Sequence, residues 1–191
     1  NLPTDEAQHI SYTQLHENVC KMSNVLLQMG VKKGDRIAIY LPMIPELAYC
    51  VLACARIGAI HSVIFAGFSS GALSARINDA SCKMVITSDG SCRGNKTIDL
   101  KGIVDEALIN CPCVENVLVV ERTKTEIKMI KNRDHYLTPL MEVASSVHDA
   151  QAVDAEDPLF ILYTSGSTGK PKGMLHTTAG YMIYTAYTFN N

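Results

Sequence analysis

Tyr163-Thr-Ser-Gly-Ser-Thr-Gly-Lys-Pro-Lys-Gly173 stands directly behind the apolar run Leu159-Phe-Ile-Leu162. Gly166, Gly169 and Gly173 allow the backbone to take positive φ and to bring its N–H groups close to an anion. Thr164, Ser165, Ser167 and Thr168 add hydroxyl donors, and Lys170 and Lys172 add positive charge. The segment therefore reads as a strand delivering a phosphate-binding loop, and an α/β fold follows from that order.

Two enzymatic look-alikes fail on spacing and local conformation. A Walker A loop needs four residues between its first Gly and the Gly-Lys pair. Here only two separate Gly166 from Gly169, and Pro171 occupies the place of the magnesium-binding Ser or Thr. Ser167-Thr-Gly-Lys170 matches the Ser-x-x-Lys spacing of acyl-transfer enzymes, which requires both residues on one helical turn. Gly169 opposes a helix there through backbone entropy and Pro171 through its missing N–H. The plain alternative, a solvated loop without ligand, does not suit so ordered a string.

Working outward, strand and helix patterns alternate. Ser11 and Gln14 form a capping-box pair ahead of Leu15, Val19, Met22, Val25, Leu26 and Met29, which recur at helical spacing up to Gly30. A β-rich run follows over Ile37 to Leu41, and Pro45 and Glu46 open a helix that ends near Gly58. Ser62 to Phe65, Met84 to Thr87 and Val117 to Val120 read as buried strands. Ser69 or Ser70 caps a short helix through Ile77, and Leu100 to Ile109 forms another. Residues 122–157 are more polar and read as an irregular excursion before the strand Leu159 to Tyr163. Thr177 or Thr178 reads as a helix cap with His176 as its neighbour. The expected architecture is α/β, a mainly parallel sheet flanked by helices.

The 191 residues suit one domain or slightly more, and the 47% apolar content is enough for a core. A net charge of −2 with mixed signs argues against nucleic acid as a main partner. The uncharged stretch from Ile57 to Ala75 holds three Gly, four Ser and one His, which makes a poor membrane span, and no basic-then-apolar leader is visible. The expected location is the cytoplasm, without membrane association. Seven cysteines are an odd number, and several lie inside apolar runs as reduced core thiols do. Cys111-Pro-Cys113 lacks a second Cys or His pair at zinc spacing, so it reads as loop or packing and no metal site is expected.

In an open parallel sheet, ligands gather at the carboxyl ends of the strands. Three segments qualify: the phosphate loop, Ser88-Asp-Gly-Ser-Cys-Arg-Gly-Asn-Lys-Thr97, and Phe65-Ala-Gly-Phe68. By residue type alone, Arg93 and Lys96 fit a solvated polar loop, and Phe65 and Phe68 fit core aromatics at a strand end as well as ligand contacts.

The string 163–173 resembles the phosphate-binding signature of the adenylate-forming enzymes, the superfamily of acyl-CoA synthetases, luciferases and peptide-synthetase adenylation domains. Asp157-Pro-Leu-Phe-Ile-Leu-Tyr163, Met174-Leu-His-Thr-Thr-Ala-Gly-Tyr181, Gly34-Asp-Arg-Ile-Ala-Ile-Tyr-Leu-Pro-Met-Ile-Pro-Glu46 and Ala53-Cys-Ala-Arg-Ile-Gly-Ala-Ile-His-Ser-Val-Ile-Phe-Ala-Gly-Phe68 narrow the resemblance to the acetyl-CoA synthetases. It covers nearly the whole chain. It implies ATP with Mg²⁺, acetate and coenzyme A as the small-molecule partners, and a two-step ligation through an acetyl-adenylate.

By the same resemblance, Thr164, Ser165, Gly166, Ser167, Thr168, Gly169, Lys170 and Lys172 hold ATP phosphates, while Arg93, Gly94, Asn95 and Lys96 meet the phosphates of coenzyme A. Phe65, Gly67 and Ile98 would flank its adenine. Lys96 stands where the family has a second arginine, keeping the charge but not the planar fork. Ala66 replaces a glycine common in bacterial members. No catalytic residue is expected within 1–191: His176 is not needed as a base, because acetate is already ionised. The resemblance makes the chain a partial N-terminal, AMP-binding domain ending just after the phosphate loop, without the small C-terminal domain and inactive alone. A ligase for propionate or another short acid, and a non-catalytic nucleotide or coenzyme A binding module, are the alternatives.

Overall fold

A computed structural model describes residues 8–94, 96–165 and 170–190. Among these residues six helices and nine strands follow in chain order: α1 (Tyr12–Gln28), β1 (Arg36–Tyr40), α2 (Pro45–Ile57), β2 (Ile60–Val63), α3 (Ser70–Ala80), β3 (Met84–Ser88), β4 (Gly90–Arg93), β5 (Lys96–Asp99), α4 (Leu100–Leu108), β6 (Asn116–Val120), β7 (Asp134–Tyr136), α5 (Leu137–Val143), β8 (Pro158–Thr164), β9 (Lys172–Thr177) and α6 (Thr178–Asn190). Seven strands form one sheet in the order β7-β6-β3-β1-β2-β8-β9, and β4 and β5 make a separate hairpin. Every pairing in the large sheet is parallel except β8 with β9. The mainly parallel α/β fold expected from the sequence is the one observed.

Local signals set the element ends. The Ser11 hydroxyl accepts from the Gln14 N–H at 3.2 Å while the Gln14 side chain accepts from the Ser11 N–H at 2.8 Å, a reciprocal capping box. Caps of this kind contribute about 1 kcal/mol. Pro45 opens α2, and Gly58 closes it in the left-handed region at φ +70. Beyond α2 the chain turns into β2, at the position next to β1.

The central strands are covered on both faces and are correspondingly apolar throughout. Ile37, Ile39, Met84, Ile86 and Leu118 face α1, α2 and α5. Ala38, Tyr40, Val85, Val117 and Val119 face α3 and α4. From β1 the chain first moves outward to β2 and then crosses back over to β3 on the other side of β1. A sheet that reverses direction in this way opens a crevice at the carboxyl ends of the strands beside the reversal.

Five features differ from the sequence-based expectation. The strand expected over Ser62 to Phe65 runs from Ile60 to Val63, because pairing with β1 ends at Val63 and the chain then turns away, leaving Phe65 69% exposed. Helix α3 continues past Ile77 to Ala80. The polar loop expected after β3 is the β4–β5 hairpin, paired from Gly90↔Asp99 to Arg93↔Lys96. Residues 122–157 are not wholly irregular: they contain β7, which extends the sheet beside β6, and α5, which adds Leu137 to the core. Strand β9, unforeseen in the sequence, returns antiparallel to β8 before α6.

β7 is fastened by buried charge. Lys101, 1% exposed on α4, places its ammonium 2.7 Å from Asp105 and 2.8 Å from Asp134 on β7, and donates to the Lys128 carbonyl at 2.9 Å. Arg133 bridges Asp105 and Asp134 as well. Burial pushes the Asp134 carboxyl up. Hydrogen bonds from Arg133, the Ile130 N–H and Lys101 outweigh that and hold it below the ordinary carboxylate value.

Candidate ligand sites at the carboxyl edge of the sheet

Two candidate sites lie along one edge of the sheet. The first is the phosphate loop. β8 ends at Thr164, and β9 begins with Lys172 directly opposite it in register, so the loop closes a two-stranded unit. Thr164, Ser165, Lys170 and Lys172 are exposed. Gly166, Ser167, Thr168 and Gly169 lie outside the described residues.

The base of the loop is held from the side. Tyr163 donates its hydroxyl to Asp79 Oδ2 at 2.6 Å, and the Arg76 guanidinium lies 5.6 Å from its ring centroid. Burial and the Asp79 carboxylate together push the Tyr163 hydroxyl well above its ordinary pKa, so it stays protonated as a donor. Arg76 also stacks 4.4 Å from the Phe68 ring. One α3 cation thus links the strand before the phosphate loop to the segment after β2.

His176 is on β9, where its ring stacks on Phe160 at 4.4 Å. Thr178, expected as a possible helix cap, is the first residue of α6 and donates its hydroxyl to the Asp157 carbonyl at 3.1 Å. Asp157 pairs with Lys33 at 2.7 Å, which lowers its carboxyl pKa.

The second site is a cleft of about 530 Å³ at the carboxyl ends of β1, β2, β3 and β6. Leu41 and Met43 form one wall, Phe65, Ala66 and Gly67 another, and Arg93, Ile98 and Arg122 a third. Phe65 meets Phe68 edge to face at 5.6 Å, so its exposed ring is a cleft wall and not a core aromatic. Ser91, Arg93, Lys96 and Ile98 share one face of the hairpin by strand alternation. Ser91, Arg93 and Ile98 line the cleft, while Lys96 and Gly94 sit at the hairpin tip and are not among its lining residues. Gly94 takes φ +59, which glycine reaches without strain, in the connection between the paired Arg93 and Lys96. Asn95 lies outside the described residues.

A buried carboxylate aims the hairpin. Asp89, 2% exposed, accepts from the backbone N–H groups of Gly90 at 2.7 Å, Arg122 at 2.8 Å and Thr123 at 3.0 Å. It ties the start of β4 to the segment leaving β6. Gly90 fits this junction because a Cβ there would lie 2.7 Å from Thr123 Oγ1 and 3.0 Å from the Ile98 carbonyl oxygen. Asp89 and Arg122 escaped the sequence reading. The available signal was position, since each lies within two residues of a strand end at the ligand-bearing edge.

The seven cysteines are all free, and five are buried. Burial pushes the Cys54 thiol up to about 12 and the Cys50 thiol well above its ordinary value, which keeps both protonated and unreactive. Cys111, also raised by burial, packs with its thiol donating to the Ala107 carbonyl at 3.2 Å. Among the described residues no three His, Cys, Asp or Glu side chains converge on a metal-sized space.

Comparison with known proteins agrees with the fold. The chain is 57% identical over 183 residues to acetyl-coenzyme A synthetase 2 of Pseudomonas aeruginosa, and 55% identical over 188 residues to acetyl-coenzyme A synthetase of Salmonella typhimurium. These alignments take in 96% and 97% of this chain but only 28% and 29% of the relatives, so the chain spans under a third of their length. Among solved structures, acetoacetyl-CoA synthetase from Streptomyces lividans superposes with a TM-score of 0.86 at 26% identity, covering 94% of this chain and 27% of that one. With residues 2–191 matching the family described as AMP-binding enzyme, the chain belongs to that family.

Proposed function

We propose that the chain is part of an AMP-forming acetate:coenzyme A ligase. The observation that carries the reading is the placement of a phosphate-type loop and a cation-lined cleft on one sheet edge, in a sequence 53–57% identical to acetyl-CoA synthetases. In the first step, an acetate oxygen attacks the α-phosphorus of ATP and pyrophosphate leaves. In the second, the coenzyme A sulfur attacks the acyl carbon, and AMP leaves as the thiol proton is lost.

The chain's own part in the first step is electrostatic. N–H groups and hydroxyls of 164–169, with Lys170 and Lys172, would bear the charge that gathers on the departing pyrophosphate. Magnesium ordinarily shares such a load. The described residues offer no convergent ligand set for it. In the second step the cleft would hold the nucleotide end of coenzyme A, with Phe65, Gly67 and Ile98 at the adenine and Arg93 at phosphate. Lys96, and Gly94 and Asn95 of the hairpin connection, would meet phosphate from the tip.

The chain would form the part of an N-terminal domain that reaches just past the phosphate loop, the remaining substrate contacts and a small C-terminal domain belonging to the rest of a longer polypeptide. Free thiols suit a reducing compartment such as the cytoplasm. The test compares that intact polypeptide with the 191-residue chain, each given ATP, coenzyme A and either acetate or propionate. Acetyl-CoA and AMP in equal amounts from the intact protein, and none from the chain, is the expected result. A preference for propionate would move the assignment to a different short-chain ligase. Coenzyme A binding by a folded intact protein without turnover would replace the ligase with a binding module.

A further inference from the structure

The coenzyme A cleft has a second guanidinium besides that of Arg93. Arg122 lines the same space, two residues past the end of β6. Its backbone is fixed: the N–H is held by Asp89 Oδ1 at 2.8 Å, and the next N–H, of Thr123, by the same carboxylate. Its side chain, half-buried, has no hydrogen bond or ion pair with any described residue. Arginines drawn partly out of water normally find a carboxylate or carbonyl partner, as Arg133, Arg56 and Arg36 do in this chain. Arg122 has a pinned backbone and a free fork facing a cleft, the arrangement of a residue whose partner is a ligand anion.

We propose that Arg122 binds a phosphate group of coenzyme A, with Asp89 as the positioning residue that sets its backbone. Coenzyme A carries a pyrophosphate and a separate 3′-phosphate, so a cleft that holds it has more than one anion to satisfy. Arg93 reaches from the exposed hairpin and Arg122 from the end of β6, which places guanidinium groups on two different elements of the same cleft. A planar fork grips two phosphate oxygens at once, the geometry that Lys96 at the hairpin tip does not provide. The division of labour places the second fork on the end of β6 and leaves only a point charge at the tip.

The inference rests on the reading of the cleft as the coenzyme A site, and the experiment separates the two. In the intact polypeptide, KM for coenzyme A, for 3′-dephospho-coenzyme A and for ATP is measured for Arg122→Gln, Arg122→Lys and Arg93→Gln. Loss of one charge-assisted phosphate contact raises KM for coenzyme A roughly tenfold in Arg122→Gln, with recovery in part by Arg122→Lys and less than about a twofold change in KM for ATP. If the contact is to the 3′-phosphate, the penalty vanishes with the dephospho form; if to the pyrophosphate, it persists with both. Either pattern supports the proposal. An unchanged coenzyme A KM in Arg122→Gln alongside a raised one in Arg93→Gln overturns the role of Arg122 alone. Unchanged values in both overturn the reading of the cleft. A thermal midpoint lowered in Arg122→Gln with coenzyme A KM unaltered would make the residue structural and also overturn the proposal.

Discussion

β3 and β8 are similar in composition and opposite in circumstance. Met84-Val-Ile-Thr-Ser88 has all five residues buried, whereas Pro158-Leu-Phe-Ile-Leu-Tyr-Thr164 has none, although both are largely apolar strands of one sheet. The contrast continues outward. β9 leaves Met174 and Leu175 more than half exposed, and α6 buries no residue while presenting Tyr181, Met182, Ile183, Tyr184 and Phe189 around its surface. A helix apolar on every side is one suited to burial. Hydrophobic pattern therefore announces that an element needs cover; whether it has cover depends on chain that is elsewhere. The β1, β3 and β6 region draws its cover from five helices of this chain. The β8, β9 and α6 region does not, in keeping with the proposal of a longer parent polypeptide.

The two regions separate most sharply under substitution. Asp134→Ala leaves Lys101 with one carboxylate fewer in a dry site, and removal of one partner from a buried ion pair costs about 3–5 kcal/mol. A denaturant midpoint measures it, and a loss below about 1 kcal/mol would show that water reaches Lys101. Next comes a matched pair of truncations. Ile86→Ala, at a fully buried position, is expected to cost about 2–5 kcal/mol, and Leu175→Ala, 55% exposed, under about 0.5 kcal/mol in the 191-residue chain. In the intact polypeptide the cost of Leu175→Ala should rise toward the core value. Equal costs for Leu175→Ala in both contexts would break the idea that other chain covers β9.

A smaller, pH-dependent effect sits at the boundary between the regions. His61 on β2 is 7% exposed, stacks on Phe160 of β8 at 5.4 Å, and leaves its Nδ1 without a partner among the described residues. Burial lowers its pKa from 6.5 to about 4. The unfolded chain therefore takes up a proton as pH falls below 6.5 while the folded chain does not, and stability present above pH 6.5 is lost down to about pH 4. The full loss is about 3 kcal/mol, an upper figure because slight opening of this edge relieves it. His61→Phe should flatten the stability profile between these limits relative to the parent. An unaltered slope would assign the acid sensitivity to other groups.

The well-covered region was also the more legible in sequence. The Ser11 and Gln14 pair, Pro45 and Gly58 are local signals whose physics acts within a few residues, and α1 and α2 begin and end where they indicate. Apolar runs located β1, β2, β3, β6 and β8 but not all of their limits, since Val-Ile-Phe continues the pattern past Val63, where the pairing of β2 stops. The β4–β5 hairpin was hidden by polar composition, because it is held through Asp89, just before it, to Arg122 and Thr123 of a distant segment and carries no apolar alternation of its own. β7 has three residues, Asp134-His-Tyr136, and is held by a lysine 33 positions away, a partnership no local pattern expresses. β9 follows a Gly, Pro and Lys stretch that reads as loop, and only pairing with β8 makes it a strand. At the ligand edge, residue type alone pointed to solvated loop and core, and only the resemblance singled out Arg93, Ile98, Phe65 and Gly67, all four of which line the cleft. Lys96 is not among the lining residues and Arg122 is, which depends on where the chain leaves β6 in space.

The most direct test of the account is exchange of labelled pyrophosphate into ATP by the intact polypeptide, with and without acetate and without coenzyme A. This isolates the adenylation step assigned to the phosphate loop. Exchange that requires acetate, proceeds without coenzyme A and falls at least roughly tenfold in Lys170→Gln is the predicted result. A folded polypeptide that shows no exchange, or exchange indifferent to acetate, would contradict it.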